Sequence, residues 1–215
     1  GLRLRPSGNK GPVATHLDAF RKYQRSEAWT WEHMALTRAR VVAGDRDLAT
    51  EIEAEVAGIL ALPRDAAKIG AEASEMRELI ETEKPPRDIW DIKLIPGGLI
   101  DLEFIAQVAT LTGKLDGEGR TTATAVALAR LSSDFATDQV RRELAEAWAF
   151  YAALTQMIRL CLTGPFEKED SPPGLTDLLL AATDLPDIKV LEAHLNDVSG
   201  TVRGHFNRLL GRRKR

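Results

Sequence analysis

An all-α fold, a bundle of some seven to eight helices fronted by a short stub of sheet, is what this sequence predicts, on three observations. The first is a near-heptad apolar seam through Val140, Leu144, Ala147, Tyr151, Leu154, Ile158 and Cys161 or Leu162, sustained over about seven turns. The second is a closing amphipathic stretch, with Leu191, Leu195, Val198, Val202, Phe206 and Leu209 at helical intervals. The third is punctuation: Gly44, Pro63, Pro85-Pro86, Pro96-Gly97-Gly98 and Gly164-Pro165 cut the chain into helix-length pieces. At 215 residues the chain is long enough to bury a sizeable core.

Residues 1–14 form the stub and residues 15–215 the bundle. Leu2 and Leu4 alternate with Arg3 and Arg5, a strand signal, before Pro6-Ser7-Gly8-Asn9 turns the chain. A lone strand is marginal in water, so this opening is expected to pair with chain that lies elsewhere. From Thr15, a plausible N-cap, Leu17, Phe20, Tyr23 and the run from Glu27 to Val42 read as one helix stopped at Gly44. Asp45 or Asp47 caps the next, whose apolar positions are Leu48, Ile52, Val56, Ile59 and Leu60, with Glu51, Glu53 and Glu55 on the wet side. Residues 64–84 carry few apolar side chains, which places that helix on the outside of the bundle. A buried helix from about Asp101 to Thr112, a polar loop over 113–120, an alanine-rich helix over 121–131, the long seam helix and two closing helices complete the order.

The least generic stretch runs from Asp91 to Gln107. Pro96-Gly97-Gly98 permits a sharp turn, and Asp101 follows closely enough to sit at the next helix's N-terminus. Leu99, Leu102, Phe104 and Ile105 form an inward stripe, leaving Asp91, Lys93, Asp101 and Glu103 as four charges on a turn that must also pack. Each charge alone reads as a solvated group; with the two glycines, the cluster reads as a site.

Composition narrows the function classes. With 29 Lys and Arg against 32 Asp and Glu, the net charge of −3 gives no bulk case for nucleic acid as a partner. No apolar run approaches the ~18–20 residues of a membrane span, and the single cysteine, Cys161, suits a reducing cytoplasm and a buried place on its helix. His16, His33, His194 and His205 are scattered, with no nucleophile elbow and no metal-ligand spacing. Ser7–Gly11 is glycine-rich without a phosphate-loop spacing. Trp29 and Trp31 point about 200° apart on a helix, so one of them faces a neighbouring element or domain.

Four blocks, taken in order, have a known counterpart. Arg3-Leu-Arg5-Pro6-Ser7-Gly8, Glu27-Ala-Trp29-Thr-Trp31-Glu32-His33, Arg38-Ala-Arg40-Val-Val-Ala-Gly44, and Asp91-Ile-Lys93 with Gly97-Gly98, Asp101, Glu103-Phe104-Ile and Gln107 together resemble bacterial glutamine synthetase adenylyltransferase. Trp-Thr-Trp-Glu-His resembles the wording of its C-terminal, adenylylating half. The specific resemblance covers residues 1 to about 110; beyond that only helical character is shared.

The resemblance implies an enzyme part: a helical domain behind the last piece of a nucleotidyltransferase sheet that moves AMP from ATP to a tyrosine hydroxyl of glutamine synthetase. It implies Mg²⁺ and ATP for the whole enzyme, held by carboxylates of a Gly-Ser…Asp-x-Asp motif and a third Asp. That motif is absent here, and Gly1 occupies the place of the third Asp, so no catalytic or metal residue is expected in this chain and none of these ligands on it alone. Glutamine synthetase, the PII signal protein and the rest of the same polypeptide are the implied partners. Arg3, Arg5, Ser7, Asn9 and Lys10 are implied near the nucleotide, with Asp91, Lys93, Gly97, Gly98, Asp101 and Glu103 facing the same cleft. On this reading Lys93 and the Gly97-Gly98 backbone meet phosphate or a regulatory segment, while Asp101 and Glu103 orient basic groups. Two other readings stay open: a non-catalytic module docking on glutamine synthetase or PII, and the helical domain of a related uridylyltransferase, which shares a Gly-Gly-Leu-x-Asp pattern.

Overall fold

A computed structural model describes residues 14–167, 171–172 and 174–211. Residues 1–13, which hold the expected stub and Arg3, Arg5, Ser7, Asn9 and Lys10, lie outside the described residues. Among the described residues the fold is all-α, with nine helices: α1 (Leu17–Ser26), α2 (Thr30–Leu36), α3 (Arg46–Leu60), α4 (Ala66–Glu83), α5 (Leu99–Leu111), α6 (Thr124–Ala129), α7 (Asp138–Cys161), α8 (Leu175–Thr183) and α9 (Ile188–Leu210).

α5 is the axle of the bundle. Ile100, Leu102, Phe104, Ile105, Ala106, Val108, Ala109 and Leu111 are all buried, because α2, α4, α6, α7 and α9 pack around it. A helix apolar all round can only sit in a core. Each fully buried Leu or Ile of this set contributes about 1.5–3 kcal/mol relative to an exposed one. The α7 seam is buried at Val140, Leu144, Ala147, Tyr151 and Leu154, and α9 buries Leu191, Leu195, Val202 and Phe206 against it. Asp45, Asp65, Thr137 and Asp187 cap their helices by accepting backbone N–H bonds.

Three expectations are corrected. The first helix is two. The chain breaks at Glu27–Trp29, where buried Glu32 turns back to accept from the Trp29 N–H at 3.0 Å and from the Tyr23 hydroxyl at 2.9 Å. α2 then ends at Leu36 rather than near Val42, where the following irregular residues find side-chain partners instead: Val41 N–H donates to Glu53 at 2.8 Å and Arg120 to the Ala39 carbonyl at 2.6 Å. α4, expected on the outside, packs against α2, α5 and α9. Apart from Ile69 its inward stripe is small or charged (Gly70, Ala73, Arg77), and the small residues let backbones approach closely; a Cβ on Gly70 would lie 3.2 Å from the Leu210 carbonyl oxygen. Cys161, expected in the core, is exposed, because the seam runs out in the last turn of α7.

Candidate functional site

The Asp91–Glu103 turn is built from backbone bonds before any side chain acts. Leu94 and Ile95 N–H groups donate to the Asp91 carbonyl at 2.8 and 3.0 Å, and Gly98 and Leu99 donate to Ile95 and Ile92, both at 2.9 Å. Gly97 holds φ at 80°, in the left-handed region, and a Cβ there would sit 1.9 Å from the Ser199 carbonyl oxygen of α9. Glycine is required twice over, for the angle and for the room. A Cβ on Gly98 would fall 2.2 Å from the Ile92 carbonyl oxygen.

Beneath the turn lies a buried charge cluster. Asp101, in the first turn of α5, is fully buried. One carboxylate oxygen accepts from Arg77 Nε of α4; the other accepts from the Gly97 N–H at 2.8 Å and from Arg203 Nη1 of α9 at 3.0 Å. Arg77, also fully buried, donates its Nη2 to the Leu94 and Ile95 carbonyls at 2.9 and 3.0 Å. Glu81 joins through Oε2, which accepts from Arg203 Nη2 at 3.3 Å, while its Oε1 lies 3.2 Å from Arg77 Nη1 and 3.0 Å from Arg203 Nη1. Arg77 Nη1 and Glu81 Oε1 complete no hydrogen bond. The Tyr151 hydroxyl of α7 donates to the Gly97 carbonyl at 2.9 Å; burial first, and the Asp101 charge second, push its ionisation well above the usual phenol range. Two arginines and two carboxylates balance, so the cluster is a neutral clasp holding the turn to α4, α5, α7 and α9.

Of the residues singled out from sequence, the structure joins Gly97 and Asp101 directly. Glu103 points elsewhere and pairs with Arg38 at 2.7 Å, apart from the arginines that meet Asp101. In the turn itself the Gly97 N–H and carbonyl serve Asp101 and Tyr151, and the Gly98 N–H serves Ile95. Lys93 is exposed and Asp91 half-buried, and neither side chain is hydrogen-bonded or ion-paired among the described residues. They are the charged pair the turn presents outward. Arg77, Glu81 and Arg203 did not stand out in the sequence, and Tyr151 stood out only as a member of the α7 seam; Arg77 carried one signal, sitting four residues after Ala73 and eight after Ile69 on the inward stripe of α4.

Among the described residues no arrangement fits a catalytic metal. The described residues contain no group of three or more His, Cys, Asp or Glu placed to hold one, and Asp101 has both oxygens taken by donors. No step through a metal ion follows from them.

Two family models match the chain: glutamate-ammonia ligase adenylyltransferase over residues 1–55, and PII-uridylyltransferase over residues 74–164. The second match spans the Gly97-Gly98-Leu99-Ile100-Asp101 pattern. The chain is also similar to proteins named bifunctional glutamine synthetase adenylyltransferase/adenylyl-removing enzyme. It is 66% identical to that of Mesorhizobium japonicum over 97% of this chain, 52% to that of Brucella suis over 98%, and 50% to that of Rhizobium meliloti over 95%. In each comparison it spans 21% of the relative's length. By sequence, then, the chain is similar along nearly its whole length to glutamine synthetase adenylyltransferases, and is about a fifth as long as those relatives.

Proposed function

We propose that this chain is the helical part of the adenylylating half of a cytoplasmic glutamine synthetase adenylyltransferase, which transfers AMP from ATP, with Mg²⁺, to a tyrosine of glutamine synthetase. The observation that carries it is the 66% identity running through nearly the whole chain rather than through one motif. The segment is inactive alone and supports a catalytic sheet in the same polypeptide, beside which Arg3, Arg5, Ser7, Asn9 and Lys10 stand near the nucleotide. The role assigned to the turn is presentation: the clasp fixes the backbone under Lys93 and Asp91, so an exposed cation is held ready for the triphosphate or for a regulatory segment. PII and glutamine synthetase are the proposed partners. Lys93→Ala in the full-length enzyme is expected to raise the KM for ATP or lower the adenylylation rate by about tenfold, the loss of one charge-assisted contact. Unchanged values of both would remove the turn from the site.

The uridylyltransferase match over residues 74–164 favours a second reading for part of the chain, a helical module common to both transferase types. On that reading the segment is a shared support, and nucleotide choice lies outside it. Exchanging residues 74–164 for the matching uridylyltransferase segment should then preserve adenylyl transfer; loss of transfer by a folded chimera counts against it.

A further inference from the structure

We propose that the cleft between the end of α3 and the 113–121 loop binds a small organic carboxylate with a short aliphatic body. The cleft holds about 220 Å³ and is bordered by Ala57 and Leu60 of α3, Ala61 just after it, Leu115 of the loop, and the arginines Arg120 and Arg130. The two cations differ. Arg120 is satisfied, donating to the Ala39 carbonyl and pairing with Glu53. Arg130 meets neutral acceptors: its Nε donates to the Asp116 carbonyl at 2.6 Å and its Nη1 to the Gly119 carbonyl at 3.0 Å. Among the described residues no carboxylate lies within ion-pair distance of it, and its Nη2 makes no hydrogen bond. A Cβ on Gly117, whose φ is 82°, would lie 3.4 Å from Nε and from Nη2, so the glycine lets the loop lie close against the guanidinium.

The guanidinium, on the C-cap residue of α6, is thus held in place by the 113–121 loop while its charge stays uncompensated beside an apolar wall. A planar carboxylate matches the remaining N–H edge of such a group, and an aliphatic body matches Ala57, Leu60, Ala61 and Leu115. A phosphate dianion fits poorly: it needs more than one free cation, and exposed Asp116 and Glu118 on the same loop oppose a double negative charge. The volume falls below the ~300–1,000 Å³ of pockets for drug-sized ligands, which keeps the body short.

Titration of the chain with isovalerate, followed by amide chemical shifts, tests the site, with neutral isovaleramide and inorganic phosphate as comparison probes. Saturable shifts around Leu60, Leu115 and Arg130 are expected with isovalerate, and at least about tenfold weaker binding of the other two. Arg130→Gln is expected to weaken isovalerate about tenfold. Ala57→Leu, at an exposed position that narrows the apolar wall, should also weaken it while leaving the melting temperature in place. If Arg130→Gln unfolds the protein, Ala57→Leu and the probe comparison still decide. Absence of saturable shifts, equal binding of isovaleramide, or full isovalerate affinity in Ala57→Leu overturns the proposal.

Discussion

At the scale of single residues, Gly97 and Arg77 carry more of the structure than any leucine. Gly97→Ala adds a Cβ at 1.9 Å from the Ser199 carbonyl oxygen and strains a φ of 80°. It is expected to lower the unfolding free energy by about 3 kcal/mol or more, read from urea denaturation, whereas an ordinary surface glycine such as Gly164 should tolerate alanine within about 0.5 kcal/mol. Arg77→Met removes one partner of a fully buried pair and leaves Asp101 with only Arg203 and the Gly97 N–H. A cost of about 3–5 kcal/mol is expected, with a large part recovered in the Arg77→Met, Asp101→Asn double variant, since the uncompensated charge is then gone. His33 gives a pH signature. Burial lowers its pKa below 6.5 despite the Nε2–H bond to the Gln24 carbonyl at 2.8 Å. The folded state therefore favours the neutral ring: the stability it contributes is complete above about pH 6.5 and is lost as pH falls through the lower folded value. His33→Gln keeps a donor and should flatten that part of the stability-versus-pH curve; an unchanged slope assigns it to another group.

Among the elements, α1 and α5 mark the two extremes. α5 is enclosed by five other helices, while α1 is tied to α3 through Arg21 and Arg25 reaching Glu51 and Glu55. Arg25, then Arg21, holds the Glu55 carboxyl below the usual carboxylate range. Hydrogen exchange should find α5 amides opening only with global unfolding and α1 amides opening far sooner, with α1 protection falling further at high salt. Protection of α1 that is indifferent to salt would mean that Phe20 and its apolar contacts hold it instead. Much of this layout was legible in the sequence. The α7 and α9 stripes are periodic enough to be read directly, and Asp45 caps its helix by a rule about side-chain oxygens. The α1–α2 break was not legible, because Thr15 to Val42 keeps helical spacing throughout and the break depends on Glu32 finding the Trp29 N–H and Tyr23. α4 was misplaced for a related reason. Hydrophobic counting cannot see a helix that enters a core through glycine, alanine and a paired arginine. At the turn, Gly97 and Asp101 stood out from residue type and spacing, but their partners Arg77, Tyr151 and Arg203 come from three other helices, and no local pattern links them.

For the whole molecule, one apolar cluster extends from Met34 of α2 to Leu210 at the end of α9 without division. Unfolding is expected to be a single transition, with helix content by circular dichroism and the fluorescence of buried Trp90 changing together. Separate midpoints would divide the bundle into two cooperative units. No helix among the described residues is long and apolar enough to cross a membrane. Trp29, 70% exposed, is a large aromatic surface left uncovered by the described residues. Trp29→Ser should leave stability within about 0.5 kcal/mol, and in the full-length enzyme a loss of activity from so mild a change would mark that face as a junction with the rest of the polypeptide.

The clasp also sets an order of events during synthesis. Asp101 and Arg203 are 102 residues apart. At 5–20 residues per second, α9 leaves the ribosome about 5–20 s after the turn it completes. In that interval Asp101 can hold Arg77 and the Gly97 N–H, but the slot that Ser199 fills stands open and the second arginine has not yet arrived. The nascent bundle therefore waits with an acidic group half-neutralised and a glycine groove uncovered, and only α9 can close both.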